Sequence, residues 1–140
     1  MCKAMEVAGY ITNSLEVDKL KLQKLLFYSQ AVHVVFNDEL LFDDEIQAWD
    51  YGPVVPKIYK KLKNKEGIVK LPYKSTLTEK QIHSIDLALG YYGDMSGAAL
   101  INETHSESTW INAYKKGRNT PIVFSDIKEC YGKIYEIEKQ

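Results

Sequence analysis

The sequence predicts a mostly α-helical protein, a single compact multi-helix domain built round a buried central helix, with a small two-strand β insert. Three observations support this fold class. Apolar side chains recur at helical spacing along most of the chain. Residues 19–36 are apolar around most of a helical circumference, as in a helix that is buried on all sides. Residues that favour helix caps precede several of the apolar segments.

The length and composition agree with one globular domain. The 140 residues suffice for one hydrophobic core, so we expect residues 1–140 to form a single domain. With 45% hydrophobic and 26% charged residues, the chain differs clearly from disordered proteins. The one excess is tyrosine, with 10 residues. Tyrosine suits half-buried positions and contact surfaces, because it joins an apolar ring to a polar hydroxyl.

The first two helices are predicted on either side of a short break. Apolar residues at positions i, i+3, i+4 and i+7 indicate a first helix over about residues 3–12. Asn13 and Ser14 interrupt this pattern, and Asp18 is expected to cap the next helix. That second helix, over about residues 19–36, is the predicted centre of the fold.

The middle of the chain is less regular and contains the predicted β insert. Residues 45–51 favour a short strand, and the dipeptide Gly52-Pro53 after them is a turn signal. Pro56 is expected to open a third helix, because proline is tolerated in a first helical turn. Residues 68–71 favour a second short strand. Two strands this short need the helices for stability if they pair.

The second half of the chain is predicted to be helical again. Thr78 and Gln81 form a capping box that starts a helix. Ser96 is expected to cap a short helix after it. Two more helices are predicted over about residues 107–114 and 125–138.

Composition argues against several classes of function. Domains that bind nucleic acid mainly through phosphates carry a basic excess, whereas the formal net charge here is −1. Cys2 and Cys130 lie near opposite ends, which is not a disulfide framework and suits a reducing cytosol. The sequence also lacks an apolar secretory signal and any apolar run near the ~20 residues of a membrane helix. A cytoplasmic protein is therefore expected.

Known catalytic motifs are missing from the sequence. It contains no glycine-rich phosphate loop, no G-x-S-x-G elbow and no H-E-x-x-H motif. His105 and Glu107 match the first half of the zinc deaminase signature, but the C-x-x-C half does not occur. We therefore predict no catalytic residue, metal site or cofactor, and we interpret the chain as a binding protein rather than an enzyme.

Two clusters are the candidate functional sites. The first places two aromatic residues beside a rigid turn and comprises Trp49, Tyr51, Gly52 and Pro53. The second combines an imidazole, a carboxylate and an indole near a helix start and comprises His105, Glu107 and Trp110. One interpretation is a polar pocket rimmed by tryptophans, and the other is a hydrogen-bonded corner that locks two short helices together. The residues alone favour neither.

A third candidate is a basic face on the predicted third helix. Its residues are Lys57, Lys60 and Lys61, and acidic residues of the segment 38–45 form its counterpart. These charges either steer a charged partner or are simply two solvated faces. An alternative function, nucleic-acid binding or transcription regulation, would use the helix from Lys57 to Lys65, and such a complex must weaken as salt rises.

Two longer motifs resemble a known family. They are LQKLLFYSQ at residues 22–30, which includes Gln23, and LFDDEIQAWDYGPVVP at residues 41–56. In this order they resemble the Panacea-domain family, whose members include SocA-like antitoxins and prophage-encoded GepA-type proteins. The resemblance covers roughly residues 7–131. Thr109 stands where the family often has the proline of H-x-E-x-P-W, a difference expected to affect only local rigidity.

The resemblance implies an antitoxin-like module, of bacterial or prophage origin, that binds a protein. Such proteins neutralise a toxin encoded beside them, and some deliver that toxin to a protease as adaptors. The implied partner is therefore a protein, whereas nucleic acid and membrane are not expected, and the family has no established catalytic activity. A second alternative, a small-ligand binder or enzyme, would use the His105/Glu107 corner for acid–base chemistry.

Overall fold

The computed structural model describes residues 1–135 and confirms the mostly helical fold class. The described chain contains seven helices: α1 (Ala4–Ser14), α2 (Lys19–Asn37), α3 (Pro56–Leu62), α4 (Glu79–Tyr92), α5 (Gly97–His105), α6 (Ser108–Lys115) and α7 (Phe124–Ile134). The last helix ends at Ile134, whereas the sequence predicts an end near residue 138, and residues 136–138 lie outside the described part.

Helix α2 is the centre of the molecule, as its apolar circumference predicts. It packs against α1, α3, α4, α5 and α7, and its residues from Leu22 to Val35 are all buried. Asp18 caps it, since its Oδ1 accepts a hydrogen bond from the backbone N–H of Lys21 at 2.8 Å. Because every face of α2 meets another element, the core forms around this helix rather than beside it.

The predicted caps of the later helices are also present. Thr78 and Gln81 form the capping box of α4, with the Thr78 N–H donating to Gln81 Oε1 at 2.9 Å. The Ser96 hydroxyl accepts from the Ala99 N–H at 3.1 Å and caps α5. Within residues 1–135, no helix has the length and apolarity needed to cross a bilayer.

The strands differ from the prediction in their pairing. Residues 1–135 form five short strands: β1 (Val17–Asp18), β2 (Gln47–Trp49), β3 (Gly52–Val54), β4 (Ile68–Val69) and β5 (Thr120–Pro121). They form two antiparallel sheets, β1-β4 and β3-β2-β5. The segments 45–51 and 68–71 both contain strands, but these do not pair with each other. Only two residues separate β2 from β3, so this hairpin closes at a lower entropic cost than a pairing across α3.

Two buried glutamines of α2 hold the backbone of the irregular middle section. Gln30 accepts from the Leu41 N–H at 2.7 Å and donates to the Phe42 carbonyl at 2.8 Å. Gln23 accepts from the Val55 N–H at 2.8 Å and donates to its carbonyl at 3.2 Å. Each side-chain amide therefore replaces a neighbouring strand, which explains why polar residues occur in the buried helix.

Replacing Gln30 by leucine is expected to destabilise the protein by about 3 kcal/mol, because several buried backbone groups lose their partner. Urea unfolding measures this change. Asn112→Leu, at an exposed position of α6, is the matched control and is expected to change stability by less than about 0.5 kcal/mol. Equal effects of the two substitutions would contradict the assigned role of Gln30.

Candidate functional site

An open groove of about 500 Å³ lies between the N-terminal half of α2, the β2–β3 hairpin and α3. Its lining residues come from these elements and from the loop before β5: Lys19, Leu20, Gln23, Lys24, Trp49, Asp50, Tyr51, Val54, Tyr59, Leu62, Arg118 and Asn119. A volume of this size falls within the usual range of ligand sites. The groove thus brings the predicted residues Gln23, Trp49 and Tyr51 together on one surface.

The walls of the groove are apolar and partly exposed. The Trp49 and Tyr59 rings meet edge to face, with centroids 4.9 Å apart. Tyr51 is 68% exposed, Tyr59 43% and Leu20 37%. Several large apolar side chains exposed on one concave surface are typical of an interaction site.

A buried lysine forms part of the groove floor. The side chain of Lys24 is 0% exposed, and its Nζ donates to the Pro53 carbonyl at 3.0 Å. In the described part of the chain no ion pair joins it to a carboxylate. Burial therefore lowers the pKa of Lys24 to about 7. Sequence reasoning missed this residue, although a lysine inside a buried apolar helix is itself a signal.

The β2–β3 hairpin covers Lys24, and it requires glycine at position 52, the first residue of β3. Gly52 has a φ of +105°, a region that side-chain-bearing residues rarely adopt. A Cβ on Gly52 would lie 2.7 Å from Thr104 Oγ1 and 2.9 Å from Lys24 Cε. Gly52 therefore lets the hairpin close directly over Lys24 and against α5.

Gly52→Ala is expected to destabilise the protein by about 3 kcal/mol, because backbone strain and a steric clash add together. Gly67→Ala is the matched control: Gly67 also has a positive φ of +69°, but nothing lies within 4 Å of a Cβ there. Only strain of about 1 kcal/mol is expected for the control. Thermal unfolding of both variants measures the difference, and equal losses would contradict the close approach at Gly52.

The polar rim of the groove carries mostly positive charge. Lys19 donates to the Lys63 carbonyl at the end of α3 at 2.9 Å. Arg118 pairs with Asp50 at 3.0 Å, and the Tyr114 hydroxyl also donates to Asp50 at 2.6 Å. Arg118 is thus neutralised by Asp50, whereas Lys19 contacts only a backbone carbonyl.

His105 and Glu107, predicted to form one corner, have different surroundings in the structure. Glu107 is buried and accepts hydrogen bonds from the hydroxyls of Tyr28 at 2.8 Å and Tyr131 at 2.6 Å. Burial raises its pKa to about 7, although these two hydrogen bonds oppose the increase. The Tyr28 ring in turn stacks on Tyr92 at 3.8 Å. Glu107 therefore belongs to a buried tyrosine cluster.

His105 and Trp110 lie on the other side, against the hairpin. The two rings stack at 4.1 Å, and the Trp110 indole N–H donates to the Trp49 carbonyl at 2.9 Å. Trp110 thereby fastens the β2–β3 hairpin to α6. The His105 Nε2 atom is buried and has no hydrogen-bond partner among the described residues.

A second cavity, of about 440 Å³, is lined by Glu107, and His105 is not among its lining residues. Glu107 and His105 also have different contacts, Glu107 with two tyrosine hydroxyls and His105 with the Trp110 ring. Thr109 lies between the two regions, and its hydroxyl donates to the Asp126 carbonyl of α7 at 3.3 Å. Thr109 thus links α6 to α7 through a hydrogen bond that proline does not make. No group of three or more His, Cys, Asp or Glu residues in the described chain could hold a metal ion.

On the basic face of α3, one of the three lysines lies beside a carboxylate and the other two are exposed to solvent. Lys57 lies near Asp44, with Nζ and Oδ2 3.6 Å apart, while Lys60 and Lys61 are exposed. Lys57 is exposed, whereas the Asp44 side chain is only 6% exposed. Nucleic-acid binding by this face stays a prediction.

Comparison with known proteins agrees with the motifs that build the groove. A family model described as antitoxin SocA-like, Panacea domain, matches residues 22–111, which include most of α2 and the whole β2–β3 hairpin. The chain is therefore an antitoxin-like protein. More particularly, it belongs to the SocA-like Panacea-domain family, because the match covers well over half of its 140 residues. No curated protein and no solved structure matches the chain.

Proposed function

We propose that this chain is the antitoxin of a bacterial, prophage-associated toxin–antitoxin pair in the cytoplasm, and that it neutralises a toxin protein encoded beside it by binding that toxin in the groove. Family membership supports the antitoxin role. The groove supports the mode of action, because both motifs that carry the family resemblance contribute to its lining.

The exposure of Leu20, Tyr51 and Tyr59 is the observation that carries the proposal. Burying such side chains against a partner is favourable by roughly 25 cal/mol per Å² of apolar area. Aromatic side chains in a concave surface are typical of the residues that dominate binding energy in protein interfaces. A mixed rim of Lys19, Asp50 and Arg118 around the apolar centre also matches the usual organisation of an interface.

Co-expression with the product of the neighbouring gene tests the proposal. We expect the neighbour alone to arrest growth, and this chain to relieve the arrest and to co-purify with the neighbour. Tyr51→Ala is expected to weaken the complex at least about tenfold, as for truncation of an interface aromatic. Val123→Ala is the matched control, since Val123 is 50% exposed and does not line the groove.

A harmless neighbour, or a toxic neighbour that forms no complex with this chain, would refute the antitoxin role. Rescue of growth by Tyr51→Ala with unchanged affinity would instead place the binding surface outside the groove.

Delivery of the toxin to a protease is the further step that some family members take, and we extend the proposal to it. The measurement is the lifetime of the toxin in cells after protein synthesis is stopped. A shorter toxin lifetime in the presence of this chain supports an adaptor role. An unchanged or longer lifetime would show that neutralisation proceeds by binding alone.

A further inference from the structure

The groove combines apolar walls with an excess of positive charge. Three of its lining side chains are cationic, namely Lys19, Lys24 and Arg118, and only Asp50 is anionic. The pairing of Asp50 with Arg118 leaves Lys19 and Lys24 without a carboxylate in the described part of the chain. This excess is local, because the whole chain has a net charge of −1.

Lys24 is the unusual member of this set. An ammonium group has three N–H donors, and the described residues provide Lys24 with one acceptor, the Pro53 carbonyl. A buried cation that lacks an anionic partner costs several kcal/mol. Groups that break the ordinary rules of burial at such a cost are expected at functional sites. Its position at the groove floor indicates which group would complete it, a carboxylate that arrives with the bound partner.

Resting on the proposed function above, we propose that the groove binds an acidic–apolar segment of the toxin protein. A large apolar side chain of this segment packs against the Trp49–Tyr59 pair, and an adjacent Asp or Glu carboxylate lies above Lys24, whose buried ammonium group attracts it through the groove floor. The edge-to-face pair of aromatic rings supplies the apolar contact. Lys19, on the same side of α2, adds a second positive charge. A volume of about 500 Å³ holds a few side chains of one segment rather than a folded element.

The specificity follows from the same contacts. A neutral isostere of the acidic residue would leave Lys24 unpaired, whereas a carboxylate would compensate its charge. An acidic segment would also approach faster, because the nearby lysines of α3 extend the positive surface.

Two matched synthetic peptides test this inference without the toxin. They are acetyl-Gly-Phe-Glu-Gly-amide and the same peptide with Gln in place of Glu. Each is added to the ¹⁵N-labelled full chain at pH 6, where Lys24 is charged, and binding is followed by two-dimensional NMR. The chain has two tryptophans, and Trp49 is the one that lines the groove, so its indole signal reports on binding there. We expect the Glu peptide to shift the Trp49 signal with a dissociation constant about tenfold lower than that of the Gln peptide.

Two variants separate the charge from the apolar contact. Lys24→Met is expected to bind both peptides with the weak affinity of the Gln peptide. Tyr59→Ala, at an exposed position that leaves the core intact, is expected to weaken both peptides about equally. Equal affinities of the two peptides for the unmodified chain, or no shift of Trp49 with either at about 10 mM, would overturn the inference. Because neither peptide comes from the toxin, these outcomes are independent of whether the neighbouring protein is neutralised.

Discussion

Replacing Lys24 by methionine is expected to stabilise the protein by about 2 kcal/mol at pH 6. Burial lowers the pKa of this ammonium from 10.5 to about 7, which corresponds to roughly 4 to 5 kcal/mol of unfavourable free energy while it is charged. The substitution also removes the hydrogen bond to the Pro53 carbonyl, at a cost of about 1 to 3 kcal/mol. The balance favours methionine, which has a similar length and no charge to bury.

The effect of Lys24 on stability depends on pH in a defined direction. Between pH 7 and 10.5 the unfolded chain keeps a proton on Lys24 that the folded chain has lost. Stability therefore rises with pH in this interval, and the contribution is lost as pH falls through 7. Lys24→Met is expected to abolish this rise, so that its advantage over the unmodified protein shrinks towards pH 9.5.

Urea unfolding at pH 6, 7.5 and 9.5 measures both effects. The series ends at pH 9.5 because burial raises the pKa of Tyr28 and Tyr92 above the usual value of 10, which lowers stability at higher pH. Lys60→Met, at an exposed position of α3, is the control and is expected to change stability by less than about 0.5 kcal/mol. A loss of stability for Lys24→Met at pH 6 would show that the hydrogen bond to Pro53 outweighs the burial cost.

This substitution also separates stability from binding. If the role of Lys24 is to bind a carboxylate of the partner, Lys24→Met is a more stable protein that no longer discriminates between acidic and neutral peptides. Natural proteins often retain destabilising residues where function requires them. A gain in stability together with a loss of discrimination is therefore the result that distinguishes a binding role from a purely structural one.

Helical periodicity and capping signals predicted most of the framework. Helix α2 begins at Lys19 and ends at Asn37, one residue beyond the predicted range, because its apolar surface and the cap at Asp18 are local properties. The capping box of Thr78 is local in the same sense. The partners of β2 and of β4, which lie in different sheets, could not be read from the sequence, because tertiary packing decides how strands of two or three residues pair.

The candidate site was predicted in part. The aromatic residues Trp49 and Tyr51 do line the groove. The turn predicted at Gly52-Pro53 lies instead at Asp50 and Tyr51, and Gly52 and Pro53 belong to β3. The position of Lys24 in an apolar helix was a signal, but its place in the groove depends on the hairpin folding over it, and that contact joins segments distant in sequence. His105 and Glu107 are close in sequence, but one ends α5 and the other precedes α6, and their side chains contact different residues.

Glu107→Gln is expected to remove a fall in stability of about 3 kcal/mol that Glu107 causes between pH 4.5 and 7. Burial raises the pKa of this carboxyl from 4.5 to about 7, so in this interval the folded chain holds a proton that the unfolded chain has lost. Stability from this group is therefore greatest below pH 4.5 and decreases as pH rises to 7. Glutamine does not ionise, so its contribution stays constant with pH.

The difference in unfolding free energy between Glu107→Gln and the unmodified protein isolates the effect of Glu107. Burial lowers the pKa of His33, which makes stability rise with pH near 6.5 and partly masks the fall in the unmodified protein. Since both proteins contain His33, subtracting their unfolding free energies at each pH from 4.5 to 8 cancels its contribution. Glu66→Gln, at an exposed position, is the control and is expected to change stability by less than about 0.5 kcal/mol.

Tyr131→Phe tests whether the hydrogen bond from the Tyr131 hydroxyl lowers the pKa of Glu107. The Tyr131 hydroxyl stabilises the charged carboxylate through a 2.6 Å hydrogen bond and so opposes the increase in pKa. Without it, the pKa of Glu107 is expected to rise further, and the fall in stability is expected to extend above pH 7 and to grow by about 1 to 3 kcal/mol. An unchanged pH interval in Tyr131→Phe would mean that the carboxylate gains nothing from this hydroxyl. Glu107 would then be held by burial and by the Tyr28 hydroxyl, rather than acting as the acceptor that fastens α7 to α2.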